Sequence, residues 1–71
     1  MEGSTYSKAT LDDTIQDYTL LIALDPGNAR LLKARGEIRQ RKGDIYGAIC
    51  DFEMAIWLDP ALEDELDSLL S

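Results

Sequence analysis

The sequence predicts an all-α fold: antiparallel helix-turn-helix repeats with about four helices. Three observations predict it. Apolar residues recur at helical spacing along most of the chain, and no run of alternating β-branched residues occurs. The breakers Pro26, Gly27, Gly43 and Pro60 fall at the borders of the periodic segments. The chain also resembles itself at an offset of 34 residues.

The first helix is predicted from about Leu11 to Leu24. Thr10 is its expected N-cap, with Asp13 three residues on as a capping-box partner. Asp12 and Asp13 then suit the positive end of the helix dipole. Leu11, Ile15, Tyr18 and Ile22 form one apolar stripe. Asp25-Pro26-Gly27-Asn28 breaks the helix and turns the chain.

The second helix is predicted from about Ala29 to Arg41, capped by Asn28. Its apolar face is Leu31, Leu32, Ala34 and Ile38, and bases fill its last turn. Gly43 fits the left-handed position after a helix end. The third helix is predicted from Ile45 to Leu58, with Asp44 as N-cap. It carries two apolar stripes: Ile45, Ala48, Ile49, Phe52, Ala55 and Ile56, and separately Tyr46, Cys50, Met54 and Trp57. One helical hairpin cannot cover both. A fourth segment, about Ala61 to Leu70, starts after Asp59 as cap and Pro60 at its first position. Leu62, Leu66, Leu69 and Leu70 make its narrow stripe, and acids make the rest.

Composition narrows the function. A chain of 71 residues is one small domain at most, and such a chain buries only about 60% of its unfolded surface. Disulfides or a metal often compensate at this size. Here Cys50 is the single cysteine and histidine is absent, so no internal disulfide or Cys/His metal site is expected. The net charge of −7 argues against nucleic-acid binding. No apolar run is long enough to span a membrane, and the first residues do not read as a secretory signal. A cytoplasmic protein without cofactor, metal, membrane or nucleic-acid partner is the expectation.

The charge is uneven. Residues 1–28 carry one base and five acids, a net of −4. Residues 29–42 carry six bases and one acid, a net of +5. Residues 43–71 carry eight acids and no base. The basic stretch reads in two ways, as ion pairs with its acidic neighbours or as a binding face.

The self-similarity pairs residues 9–26 with 43–60. Ile15 meets Ile49, Asp17 meets Asp51, Ile22 meets Ile56, and Leu24-Asp25-Pro26 meets Leu58-Asp59-Pro60. Tyr18 meets Phe52 and Leu11 meets Ile45. A 34-residue period with helix-turn-helix signals resembles the tetratricopeptide repeat (TPR) family. Gly36, Gly43, Ala48, Phe52, Ala55 and Pro60 fall at that family's small, aromatic and breaker positions. Leu32, Arg35, Arg39 and Ile45 depart from its common Trp, Leu, Tyr and Tyr. The resemblance implies about one and a half repeats. Residues 1–8 are expected to be a flexible N-terminal segment. Residues 9–60 hold the second helix of one repeat and then a full repeat over 29–60. Residues 61–71 form a capping helix or begin the next repeat. About three repeats are usually needed for an independent stack.

The resemblance also implies function. First helices of such repeats line a groove that grips peptides, which would place Arg30, Lys33, Ala34, Glu37, Gln40 and Arg41 on the groove side. Arg30, Lys33, Glu37, Gln40 and Arg41 are the expected contacts for an acidic peptide or protein. Lys33-x-x-Gly36-Glu37 matches half of a chaperone-tail clamp, but Glu37 adds a repelling charge. The alternative reading is a homodimer through the uncovered stripe. Tyr46, Cys50, Met54, Trp57, Leu66 and Leu69 are then the self-association residues. The acidic segment 61–71 would lie in a basic groove, in its own chain or in a neighbour. No catalytic residue is expected: Cys50 reads as a buried, inert thiol without a base partner, and no phosphate-binding or calcium loop occurs.

Overall fold

The computed structural model describes the backbone of residues 8–70 and the side chains of residues 10–66. Among the described residues four α-helices occur: α1 (Lys8–Leu24), α2 (Ala29–Lys42), α3 (Ile45–Leu58) and α4 (Glu63–Leu70). A 3₁₀ turn, Pro60–Leu62, leads into α4. No strand is found among the described residues. Lys8 belongs to α1, and residues 1–7 lie outside the description.

Caps explain the sharp ends of α2. The Asn28 side chain accepts from the Arg30 amide at 3.1 Å, while its Nδ2 donates to Asp25 at 3.1 Å. At the other end Gly43 has φ +97°, a conformation that favours a residue without Cβ. The Gly43 amide donates to Gln40 O and the Asp44 amide to Arg39 O, which closes the last turn. Asp44 then starts α3, its side chain accepting from the Gly47 amide at 3.0 Å. Asp59 accepts from the Ala61 amide at 3.2 Å, and Pro60 opens the 3₁₀ turn.

Thr10 is not a cap. It lies inside α1, two residues past Lys8, and its carbonyl accepts from the Thr14 hydroxyl at 3.1 Å. Nothing in Lys8 and Ala9 breaks a helix, so the helix runs through the capping-box pattern. Asp12 and Asp13 consequently sit beyond the first turn.

Helices α1, α2 and α3 pair antiparallel in chain order. Lys42 meets Asp12, and Arg35 meets Thr19, so the end of α2 lies by the start of α1. Arg39 meets Asp44 and Arg35 meets Asp51, which fixes the same sense for α2 and α3. The core holds Ala29, Leu32, Ala48, Phe52, Ala55, Leu62 and Leu66, with Ile22 and Ile56 packed against it. Gly36 is buried here because α2 and α3 touch: a Cβ on it would stand 2.6 Å from Phe52 Cε1.

One expectation about packing is corrected. Leu66 does not belong to an outer contact surface. It is fully buried in the core beside α2 and α3 residues, because the spacing of Leu62 and Leu66 turns both inward from the Pro60 turn. The first stripe of α3 is covered in part. Ile56 packs on the core, but Ile45 and Ile49 remain exposed and outside it.

Candidate functional site

The basic stretch is largely consumed within the chain. Arg35 presents its guanidinium side-on to Asp51, with Nε to Oδ2 at 2.9 Å and Nη2 to Oδ1 at 2.7 Å. Its remaining Nη1 donates to Thr19 Oγ1 at 3.1 Å, so one side chain of α2 ties α1 to α3. Arg39 Nη1 adds a third bond to Asp51 at 3.1 Å. Asp51 is only 3% exposed, so these bonds satisfy a carboxylate that burial alone would penalise. The same contact acts on Arg35. Its pKa is raised, chiefly by the hydrogen bond to Asp51, while burial opposes.

The other bases pair further out. Lys42 meets Asp12. Lys33 Nζ lies 2.7 Å from Glu65 Oε1, and Arg30 Nη2 is 3.8 Å from Glu65 Oε2. Glu65 of the acidic C-terminal segment therefore lies against the basic helix of its own chain. Arg41 is exposed and its side chain makes no hydrogen bond or ion pair among the described residues. Glu37 and Gln40 are half-buried. Their spacing places Arg30, Lys33, Glu37, Gln40 and Arg41 on one side of α2.

Glu65 supplies a pH test. The Lys33 hydrogen bond, then the Lys33 charge, hold its pKa below the ordinary 4.5. A depressed carboxylate stabilises the fold above its unfolded pKa, and that gain is lost as pH falls through the folded value. The stability gap between wild type and Glu65→Gln should be complete at neutral pH and close below pH 4.5. Denaturant midpoints across pH read this gap, which is small because the pair is exposed.

The second apolar stripe of α3 has no cover among the described residues. Tyr46 is 86% exposed and Trp57 80%. Met54 and Cys50 are exposed between them. The exposure of Cys50 corrects its reading as a buried thiol. Helical phase groups it with Tyr46, Met54 and Trp57, away from the side that meets α2. Cys50, Met54 and Trp57 line an open groove of about 420 Å³ with Glu53. A smaller groove of about 210 Å³, lined by Gln16, Thr19 and Leu20, occupies the equivalent place on α1, 34 residues earlier. The Leu69 side chain lies outside the described residues.

The side chains that sequence reasoning missed are Arg35 and Asp51. A signal was present: Asp51 falls between Ala48 and Ala55 at spacings of three and four, on the face of α3 that must be buried. An acid there requires a cation from the facing helix.

No three His, Cys, Asp or Glu side chains are grouped to hold a metal among the described residues. No helix of these residues is long and apolar enough to cross a membrane. Comparison with protein families, with curated proteins and with solved structures finds no match for this chain.

Proposed function

We propose that this chain is a non-catalytic protein–protein interaction module of the tetratricopeptide type that works by self-association through α3. The carrying observation is the bare stripe of Tyr46, Cys50, Met54 and Trp57 on a helix whose opposite side is core. Aromatic residues and Met are the types enriched at protein contacts. Trp57 beside an open apolar groove makes the stripe self-complementary, since each copy offers both a knob and a groove. The repeat reading is supported by the 34-residue offset, the short turns and the close seat of Phe52 on Gly36.

Light scattering tests this. The 7.9 kDa chain should run at twice that mass at micromolar concentration. Trp57→Arg should return it to the mass of one chain with its helix content unchanged, because Trp57 contributes little to the core. A wild-type chain that stays monomeric would sink the proposal.

The Glu65 contact favours a second reading. The Arg30 and Lys33 side of α2 already holds a carboxylate borne by a helix, which is the chemistry of an acidic peptide. Reversing both Arg30 and Lys33 to Glu should abolish capture of such a peptide and leave the dimer mass unchanged. Loss of the dimer in that variant would instead place α2 in the self-contact.

A further inference from the structure

The internal offset lays α1 over α3 and exposes a difference between them. The α3 residues sealed from solvent, Ala48, Asp51, Phe52 and Ala55, fall on Thr14, Asp17, Tyr18 and Leu21. All four are buried in α3. In α1, Asp17 and Leu21 are exposed, and Thr14 and Tyr18 only half-buried. The side of α1 that meets α2 is a different one, marked by buried Leu11 and by the Asp12–Lys42 and Thr19–Arg35 contacts.

The charges differ in the same way. Asp51 takes three hydrogen bonds from Arg35 and Arg39, which lie 16 and 12 residues before it. The Asp17 side chain makes no hydrogen bond or ion pair among the described residues. Sixteen and twelve residues before Asp17 stand Met1 and Thr5, neither of them a cation. Leu24 continues the same side of α1 and is 83% exposed. A face with an unpartnered carboxylate at its centre is thus repeated from α3, and among the described residues no basic helix satisfies it as α2 does there.

We propose that the Thr14, Asp17, Tyr18, Leu21 and Leu24 side of α1 docks a basic amphipathic helix of another protein. The bound helix sets a guanidinium on Asp17 and a small residue against Tyr18, as Arg35 and Gly36 do on Asp51 and Phe52. Apolar contact with Leu21 and Leu24 supplies the area, and the charge pair fixes the register. This surface is separate from the stripe of α3, so the two proposals stand or fall independently.

The probe is a labelled synthetic peptide of residues 28–43, which carries α2 with both of its caps. Added to the full chain, it should bind saturably by fluorescence anisotropy. Asp17→Lys should weaken that binding about tenfold or more, and Leu21→Ser should weaken it as well. The peptide bearing Arg35→Glu should fail on wild type and recover on Asp17→Lys. Asp17 and Leu21 are exposed, so both variants should keep the helical circular dichroism of the parent. Absence of saturable binding overturns the proposal. So does binding indifferent to Asp17→Lys, which would mean that the peptide exchanges into the α3 seat or adheres elsewhere. An acidic helix of equal length binding as well as the basic one would overturn it too.

Discussion

Asp51→Ala is expected to lower stability by about 3–5 kcal/mol, the cost of removing one partner from a buried charge cluster. The residue to watch is Arg35, whose side chain is only 15% exposed and whose two hydrogen bonds to Asp51 would vanish together. Arg39, 25% exposed at its side chain, would lose its buried acceptor too, though it keeps the longer contact to Asp44. Domains of this length hold roughly 4–11 kcal/mol in total, so the variant should be largely unfolded well below the parent's midpoint. Urea titration followed by circular dichroism reads the change. Replacing Arg35 by Met and Asp51 by Leu together should be nearly neutral, because no uncompensated charge remains. Arg39 then turns to Asp44 and solvent. If Asp51→Ala alone were neutral, the cluster would not hold the three helices together.

Phe52→Ala should cost about 3–5 kcal/mol through the lost transfer energy and the cavity left behind. Phe52 is 1% exposed and is the aromatic at the junction of α2 and α3. Its ring stands so close to Gly36 that any Cβ there must push it aside. Gly36→Ala should therefore destabilise the parent by about 1–3 kcal/mol through overpacking, although Ala is the better helix former. In the Phe52→Ala background the same change should become neutral or favourable. That coupling, read in a double-mutant cycle, separates steric contact from helix propensity. Additive effects would show that the two residues do not meet in solution.

Much of the fold was legible because this chain marks its helix ends with side chains of definite chemistry. Asn28, Gly43 and Asp44 each bond or bend as their types require, and α2 and α3 start and stop within a residue of expectation. The start of α1 misled because Thr10-Leu11-Asp12-Asp13 imitates a cap without a breaker before it. Local pattern could not decide between cap and interior there. The surfaces were legible only in part. Helical phase isolated Tyr46, Cys50, Met54 and Trp57 as a stripe needing cover, and their exposure follows from that phase. Leu66 shared the same apolar logic yet turned inward, because its partners come from two other helices. The bases of α2 show the same limit. Composition revealed a cationic helix, but their acids lie 12 to 32 residues away where hydrogen-bonded. Pairings at such range depend on how the helices stack, which no local spacing records.

The proposed self-association through α3 can be tested at a single side chain, because Trp57 is the chain's one tryptophan. Its emission should be that of a solvated indole at high dilution, given its 80% exposure. As concentration rises through the micromolar range, the emission should shift to the blue in one saturable step as the indole enters the partner's groove. The reverse outcome, an unshifted spectrum at every concentration with the mass fixed at 7.9 kDa, would contradict self-association through this stripe.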